Sequence, residues 1–392
     1  MRFRFGAYEL DVARRELRVA GEARPVQPQV FAVLAYLVRH RERVVAKEEL
    51  LREVWPDAVV TDASLQRAVS LARRALRPAD RGLLRTHARI GYRFVGEVSS
   101  PDPEEEAAPT GPPRYATCGG VHLAYRVLGS GPVDVVLVLG WSLGMDSALR
   151  LGGVAELVAT LSGRARIILF DKRGTGASDR VKALPRLPER VDDLGALLDA
   201  VRSRGAILVG FSEGGPLSMA FAATRPSRVR GLVLVGAFAR MAAAPDHPHG
   251  WSEAEIASLR AYIQSAWGSG ATMRALVPDR HLTDGVRAWA ARAEQEGASP
   301  GAALDLLDMN LDIDVRPLLP RVRAAAVILH ATGDRVVRAG NGRALAAAIP
   351  GARLVEVPGD DHAFIFGGRP RLERELTALL DRTASGRGVA LT

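Results

Sequence analysis

The chain has 392 residues, of which 47% are hydrophobic and 25% charged, a balance typical of folded globular domains that excludes a disordered or fibrous protein. No apolar run reaches the roughly 18 to 20 residues that span a bilayer, and the first residues lack the apolar core of a signal peptide, so we expect a cytoplasmic protein without membrane contact. The net charge of +9 is concentrated at the N-terminus, because residues 1–98 hold 19 Lys and Arg against 12 Asp and Glu.

The first hundred residues predict a small α+β domain. Alternation of polar and apolar residues over 2–26, with a turn at Gly21, predicts short antiparallel strands. From Gln27 the apolar period changes to about 3.6, which predicts a first helix as far as the charged segment RHRER. A second helix is predicted over AKEELLREVW and a third within TDASLQRAVSLARRALRP, where Thr61 or Asp62 can cap the helix. The segment LLRTHARIGYRFVGEV predicts a β-hairpin with a basic tip.

The third predicted helix has an apolar face for packing and a polar face suited to a DNA groove. Arg and Gln side chains read base edges in the major groove, and a basic hairpin tip suits phosphate or minor-groove contact. A solvated basic helix on a domain of another purpose is the alternative interpretation. The candidate DNA-binding residues are Ser64, Gln66, Arg67, Ser70, Arg73 and Arg74 on the helix, with Arg85, His87 and Arg89 at the tip.

The order of strands, three helices and a hairpin ending in GYRF resembles the OmpR/PhoB-type winged helix over residues 3–98. In this resemblance, LLREVWPDAVVTDASLQRAVSLARRAL matches the transactivation loop and recognition helix, and RIGYRF matches the wing. It implies a winged-helix DNA-binding domain over residues 1–98, with DNA as a partner.

Residues 99–113, SSPDPEEEAAPTGPP, are rich in Pro and acidic residues, so they bury too little surface to fold and are predicted to be a linker. Beyond them, strand-like runs such as VVLVLG, RIILFD, AILVGF and AVILHATGD alternate with helical segments. Continuous Val, Ile and Leu runs predict a mostly parallel sheet with helices on both faces. A second domain is therefore expected over residues 114–385.

A nucleophile motif lies in this second domain. GFSEG at residues 210–214 fits G-x-S-x-G directly after a predicted strand and before a predicted helix, which makes Ser212 the candidate nucleophile. Two later strands end just before Asp334 and His362, in the order acid then histidine. His362 is then expected to take the Ser212 proton, while Asp334 orients the imidazole and stabilises its charged form.

The oxyanion hole requires two backbone amides, one after the nucleophile and one in the loop after an early strand. Glu213 and Trp141 occupy these positions. The loop reads LGWS, and Leu139 stands where many serine hydrolases with a G-x-S-x-G motif carry histidine. Trp141 is expected to narrow the pocket and exclude bulky acyl groups.

The stretches ILFDKRGTGASDRV, FSEGGPLSMAFAATRPSRVRGLVLVGAFAR and IPGARLVEVPGDDH are similar to α/β-hydrolase domains found attached to bacterial signalling modules, including class III adenylate cyclases and winged-helix regulators. The resemblance covers about residues 114–383. It implies the α/β-hydrolase fold, with Asp171, Arg173 and Gly174 bracing the rim of the active site.

An insertion at about residues 239–325 is expected to form a helical cap over the pocket. Its tryptophans, Trp251, Trp267 and Trp289, can pack as cap core or line a ligand cage, and the former is favoured. His247 and His249 lack a matching acid or histidine cluster, so neither a metal nor a cofactor is expected.

Together these features predict a one-component transcriptional regulator whose hydrolase domain binds, and is expected to hydrolyse, a small ester, lactone or related acyl compound. A carboxylesterase tethered to DNA and a catalytically idle ligand-binding domain are the alternatives. The hydrolase domain is expected to supply the interface of a homodimer, because paired domains engage repeated half-sites at high effective concentration.

Overall fold

The computed structural model describes residues 2–12, 15–41, 43–55, 60–98, 112–182 and 185–384. Most of the predicted linker lies outside these residues. The chain separates into two compact units, Met1–Glu106 and Ala107–Thr392. Within the described ranges, no helix has both the length and the apolar character needed to cross a membrane.

The first unit begins with a four-stranded antiparallel sheet, followed by three helices and a three-stranded sheet in the order β5-β7-β6. A 3-10 helix, Pro78–Leu83, precedes the final hairpin. The elements are β1 (Arg2–Phe5), β2 (Tyr8–Asp11), β3 (Glu16–Val19), β4 (Glu22–Arg24), α1 (Pro28–Arg39), β5 (Val45–Ala46), α2 (Lys47–Val54), α3 (Asp62–Ala75), β6 (Leu84–His87) and β7 (Gly91–Phe94).

The helices and strands of this unit share one apolar core. Leu34 of α1, Leu65 of α3 and Phe94 of β7 are fully buried in it. Thr61 occupies the N-cap position of α3, but its side chain accepts no hydrogen bond from the helix. The helices and the hairpin confirm the predicted winged-helix architecture.

The second unit is built on an eight-stranded sheet in the order β15-β14-β13-β12-β10-β11-β9-β8. The first two strands pair antiparallel and β10 to β15 run parallel to one another. The strands are β8 (Arg114–Cys118), β9 (Val121–Leu128), β10 (Val133–Val138), β11 (Ala165–Phe170), β12 (Ala206–Phe211), β13 (Val229–Val235), β14 (Ala326–Ala331) and β15 (Arg353–Val357).

Ten α-helices are described in this unit, together with 3-10 helices over Pro226–Arg228, Asp279–His281 and Arg316–Arg321. The α-helices are α4 (Met145–Arg150), α5 (Gly152–Leu161), α6 (Leu187–Ala200), α7 (Gly214–Thr224), α8 (Glu253–Ala266), α9 (Ala271–Ala275), α10 (Asp284–Gly297), α11 (Pro300–Leu311), α12 (Ala339–Ala348) and α13 (Arg369–Ala384).

Helices cover both faces of the sheet. Successive strand residues point to opposite faces, so Val135 and Leu137 pack with α5 and α13, whereas Val136 and Val138 pack with α6 and α7. This arrangement confirms the predicted mostly parallel sheet with helices on both sides.

Helices α8 to α11 lie between β13 and β14 in the chain and form the predicted cap. Ile263 of α8 and Leu307 of α11 pack with Phe238 in an apolar cluster of their own. Helices α8 and α11 therefore share a core apart from the sheet, whereas α9 and α10 pack into the apolar cluster on one face of the sheet. The cap forms part of the wall of the cavity described below.

Candidate active site and nucleic-acid interface

Ser212 lies in the tight turn between β12 and α7, where its backbone takes the left-handed conformation with φ of 49°. The flanking glycines leave no room for a side chain. A Cβ on Gly214 would lie 2.0 Å from the Val138 carbonyl oxygen, and one on Gly210 would lie 2.8 Å from Ser218 Oγ. Strain of this kind is typical of a nucleophile held at the end of a strand.

Asp334 and His362 follow β14 and β15, and both are buried. His362 Nδ1 and Asp334 Oδ2 are 2.7 Å apart, while Asp334 Oδ1 accepts the amides of Val336 and Val337 at 2.8 and 2.9 Å. Burial favours the neutral acid, but the neighbouring His362 outweighs it and holds the pKa of Asp334 below its usual value.

His362 Nε2 is buried and has no hydrogen-bond partner among the described residues. His362 and Ser212 line the same small cavity. The structure therefore brings the three residues of the predicted triad to one place, with the free imidazole nitrogen available to a group in that cavity.

Other titratable groups near the site are engaged elsewhere. His330 is fully buried, its Nε2 lies 2.7 Å from the Val337 carbonyl oxygen, and burial lowers its pKa. Asp361 accepts the amides of Phe366 and Gly368 at 2.9 Å each. These contacts give His330 and Asp361 structural roles beside the triad residues.

The two residues predicted to form the oxyanion hole lie on either side of Ser212. Trp141 has a left-handed backbone with φ of 44°, and a Cβ on the preceding Gly140 would lie 2.9 Å from Ser212 Cβ. Among the described residues, neither the Trp141 amide nor the Glu213 amide donates to a protein acceptor. Both amides are therefore free to bind an oxygen of a ligand.

A buried cluster of charged side chains lies behind this loop, and the sequence reasoning missed it. Lys172 forms a short ion pair with Glu213, and Arg190 Nη2 lies 2.6 Å from the other Glu213 oxygen. All three side chains are at most 6% exposed. Lys172 Nζ also donates to the carbonyl oxygens of Trp141 at 2.7 Å and Leu139 at 3.0 Å. One ammonium group thus links both oxyanion residues.

The charges in this cluster depend on one another. Burial lowers the pKa of Lys172 and is opposed by the Glu213 carboxylate. For Glu213, burial acts to raise the pKa, but Arg190 and Lys172 outweigh it and hold the pKa below its ordinary value. Removing Glu213 would leave two buried cations without their compensating carboxylate, whereas removing either cation would leave a single ion pair.

The loop after β11, which was predicted to brace the rim of the active site, is held by side-chain hydrogen bonds. Asp171 accepts the amides of Met145 at 2.6 Å and Ala177 at 2.7 Å, and burial raises its pKa to about 6 despite these bonds. Arg173 forms a short bidentate pair with Asp193 of α6. The loop is thereby tied to the first residue of α4 and to α6.

Two cavities meet at Ser212 and Trp141. The larger has a volume of about 560 Å³ and extends beneath the cap to Trp251 and Asn310. The smaller has a volume of about 60 Å³ and is lined mainly by apolar side chains such as Val154. An ester at Ser212 could therefore place a large group on one side and a small one on the other.

The three cap tryptophans differ in role. Trp289 is buried and donates its indole N–H to the Ser147 carbonyl oxygen at 2.7 Å, and Trp267 donates to the Ala298 carbonyl oxygen at 2.9 Å. Trp251 lines the large cavity, although its N–H is bonded to the Val336 carbonyl oxygen at 2.7 Å. Two of them are cap structure, and one offers an apolar face to a ligand.

In the first unit, α3 exposes most of the predicted DNA contacts. Arg73 is an exception, because its guanidinium donates to the Leu84 carbonyl oxygen at 2.6 and 3.0 Å and to Thr86 Oγ1 at 2.7 Å. These bonds link α3 to β6 and give Arg73 a structural role in addition to its predicted one. The predicted contact residues of the helix that are exposed are Ser64, Gln66, Arg67, Ser70 and Arg74.

The hairpin tip between β6 and β7 is basic and partly apolar. Arg85 and Arg89 are exposed, His87 is half-buried, and Arg89 has a left-handed backbone with φ of 63°. The next residue, Ile90, is 58% exposed, which is unusual for a large apolar side chain. Sequence reasoning did not single out Ile90, although its place beside Arg89 in the tip was visible.

Comparisons with known proteins separate the same two parts. A family model described as alpha/beta hydrolase fold matches residues 134–368, and one described as transcriptional regulatory protein, C terminal, matches residues 21–94. Over 269 residues the chain is 30% identical to a pimeloyl-[acyl-carrier protein] methyl ester esterase of Chromobacterium violaceum, with 67% of this chain and all of the relative covered. A putative carbamate hydrolase of Azorhizobium caulinodans is 29% identical over 266 residues, 64% of this chain and 91% of the relative.

Solved structures show the same fold. A bromoperoxidase from Bacillus anthracis has a TM-score of 0.62 at 23% identity, covering 69% of this chain and 99% of that one. An esterase from Exiguobacterium antarcticum has a TM-score of 0.61 at 20% identity, covering 68% and 98% respectively.

Proposed function

This chain belongs to the alpha/beta hydrolase fold family and also carries a DNA-binding regulatory domain, and from that premise we propose that it is a transcriptional regulator whose second domain is a serine hydrolase for small acyl compounds. The substrate class is a carboxylic ester, a lactone or a related acyl compound. Ser212, His362 and Asp334 are the proposed triad, and the amides of Trp141 and Glu213 are the proposed oxyanion hole.

One observation carries the hydrolase assignment. His362 and Asp334 form a buried pair at 2.7 Å, while His362 Nε2 has no partner among the described residues and lines a cavity together with Ser212. A buried imidazole with one nitrogen held by a carboxylate and the other left free is arranged to accept a proton from a bound or neighbouring hydroxyl.

The proposed reaction uses these groups in sequence. His362 Nε2 takes the Ser212 hydroxyl proton as Oγ attacks the acyl carbon, and the oxygen of the tetrahedral intermediate accepts from the two amides. The proton on His362 then passes to the leaving alcohol as the acyl–oxygen bond breaks. Water repeats the attack on the acyl-enzyme and releases the acid, restoring Ser212.

The experiment is a panel of p-nitrophenyl esters and lactones with the purified full chain. Ser212→Ala is expected to lower turnover by about four orders of magnitude or more, and His362→Ala similarly, because each removes a member of a unit that acts together. The control is Ser265→Ala on α8, an exposed serine whose hydroxyl is bonded to the Ala261 carbonyl oxygen. Near wild-type turnover in Ser212→Ala would refute the triad.

The same compounds, assayed for turnover and for their effect on operator binding, separate the other two candidate functions. Ligand-dependent operator binding without turnover would favour an idle sensor domain. Turnover with operator binding that ignores every ligand would favour an esterase merely tethered to DNA.

Regulation is proposed to act through a homodimer formed by the hydrolase domain. Dimerisation brings two winged helices to adjacent half-sites, so that the second binds at high effective concentration. A tenfold ligand-induced change in operator affinity requires about 1.4 kcal/mol of preference for one association state. Operator affinity and sedimentation, each measured with and without an ester that the protein hydrolyses, test this regulation. A ligand that leaves both unchanged would leave two independent functions on one chain.

A further inference from the structure

The wall of the large cavity contains buried polar groups without partners. Asn310 of α11 is 1% exposed, and neither Oδ1 nor Nδ2 of its carboxamide has a hydrogen-bond partner among the described residues. Trp141 Nε1 and Asn341 Oδ1 are also buried, and neither has a hydrogen-bond partner in the part of the chain that the structure describes. All three side chains line the cavity that begins at Ser212. Buried polar groups in folded proteins are normally paired, so unmet groups facing a cavity indicate where a ligand binds.

The other hydroxyl groups around the cavity are already satisfied, apart from the Ser212 nucleophile. Ser258 Oγ donates to the Ala254 carbonyl oxygen at 2.8 Å, Tyr262 Oη donates to Glu294 at 2.7 Å, and Thr272 Oγ1 donates to the same carboxylate at 2.6 Å. The protons of these hydroxyl groups are therefore already taken, and the unpaired donors that face the cavity are Asn310 Nδ2 and Trp141 Nε1.

The charged residues of the wall are paired as well. Arg240 lies 3.6 Å from Asp314, Arg335 lies 3.1 Å from Asp279, and Glu255 forms an ion pair with Arg338. A carboxylate or phosphate on the ligand would have to compete with these acids for an arginine. The cavity therefore favours a neutral ligand.

The Asn310 carboxamide has one donor side and one acceptor side. A secondary amide of a ligand is trans, so its carbonyl oxygen and its N–H point in opposite directions. Its carbonyl oxygen can accept from Asn310 Nδ2, while its N–H can donate to a second unpaired acceptor of the wall, Asn341 Oδ1. An ether offers an acceptor only. The remainder of the wall includes apolar side chains such as Phe238, Met241 and Leu259. These surfaces suit the hydrocarbon segments on either side of the amide.

We propose that the cavity takes neutral esters whose apolar chain carries a secondary amide, and that Asn310 Nδ2 donates a hydrogen bond to the carbonyl oxygen of this amide while Asn341 Oδ1 accepts one from its N–H. The proposal rests on the hydrolase function proposed above. Asn310 is thus a specificity residue that selects among esters which Ser212 could attack equally.

The test compares p-nitrophenyl esters of N-acyl-ω-amino acids, at three spacings between ester and amide, with all-carbon esters of equal length. In the wild-type full chain, kcat/KM for the best amide ester is expected to exceed that of its all-carbon partner about tenfold. Asn310→Leu, similar in size but unable to hydrogen-bond, is expected to lower this ratio by about tenfold or more. Ser265→Ala on α8, which removes a hydroxyl bonded to the Ala261 carbonyl oxygen and outside the residues that line the cavity, is the control and is expected to leave the ratio within about twofold.

Two results would overturn the proposal: a wild-type ratio near one at every spacing, as expected if ordered water alone satisfies Asn310, or a ratio that Asn310→Leu leaves unchanged. Titration calorimetry with the matching methyl ketones, which need no turnover, measures the same preference as a ratio of Kd. Absence of ester turnover together with an Asn310-dependent Kd ratio would refute the hydrolase function and support the amide site. Turnover without any preference for amides would support the hydrolase function and refute the amide site.

Discussion

Replacing Glu213 with glutamine tests whether the buried ion cluster holds the second domain together. The substitution keeps the shape of the side chain and removes its charge, so Lys172 and Arg190 face each other without their carboxylate. Removing one partner from a buried ion pair costs about 3 to 5 kcal/mol. For a domain of this size each kcal/mol corresponds to about 2 to 4 °C, so the melting temperature is expected to fall by about 6 to 20 °C.

The loss is also expected to depend on pH. Burial already lowers the pKa of Lys172, and removal of Glu213 lowers it further, so the native variant binds fewer protons than its unfolded state below the ordinary lysine pKa. Its stability therefore rises with pH, and the difference from the wild type should shrink as the pH rises toward 10.5, the ordinary pKa of lysine.

Calorimetric or circular-dichroism melting of the full chain at several pH values measures both effects. Glu356→Gln is the matched control, because Glu356 pairs on the surface with Arg343, a side chain that is 62% exposed, and such pairs contribute about 1 kcal/mol or less. If Glu213→Gln melted within about 2 °C of the wild type, or no lower than Glu356→Gln, the cluster would not have the structural role inferred here.

Three further expectations follow from other parts of the molecule. Trp141→Ala keeps the backbone amide but removes the indole between the two cavities, so the ratio of kcat/KM for octanoate to acetate p-nitrophenyl ester should rise about tenfold; an unchanged ratio would contradict this. Arg67→Ala should weaken specific operator binding, measured by fluorescence anisotropy, by about 1 to 3 kcal/mol. Arg73→Ala should weaken binding and also lower the melting temperature of the first unit. Equal melting temperatures of the two variants would contradict the structural role of Arg73. Arg43 and Tyr36 hold the pKa of Glu49 at about 2. The stability that Glu49 contributes is therefore complete above about pH 4.5 and is lost as the pH falls through about 2. Hydrogen exchange of α1 and α2 in the full chain should show this loss, and the Glu49→Gln variant should lack this dependence on pH.

The sequence predicted the convergence of the triad residues for a topological reason. Ser212, Asp334 and His362 each follow an apolar run, and the carboxyl ends of parallel strands meet at one edge of a sheet. Once the runs are identified as parallel strands, these side chains must lie near one another, even though 150 residues separate Ser212 from His362. The winged-helix domain was predictable for a local reason, because the period of its apolar residues identifies each helix and strand.

The buried cluster was not predictable in this way. Lys172, Arg190 and Glu213 are residue types that normally lie in water, and no periodicity marks them as buried. Their pairing depends on the register between the loop after β11, helix α6 and the nucleophile turn. The role of Arg73 was missed for the same reason, because the carbonyl group that it binds belongs to a strand outside its own helix.

The position of the cluster relates stability to the proposed chemistry. Two cations and one anion give it a net positive charge while Lys172 is protonated, and Lys172 is bonded to the carbonyl oxygen of Trp141, whose amide faces the proposed oxyanion site. Positive charge there favours negative charge on the reacting oxygen, and Asp334, on the other side of His362, favours positive charge on the imidazole. Both groups of charges thus have the sign that the proposed acyl transfer requires, and both are present before any substrate binds. A buried carboxylate immediately after the nucleophile, which in isolation would oppose an oxyanion, is compatible with this chemistry because Lys172 and Arg190 more than neutralise it.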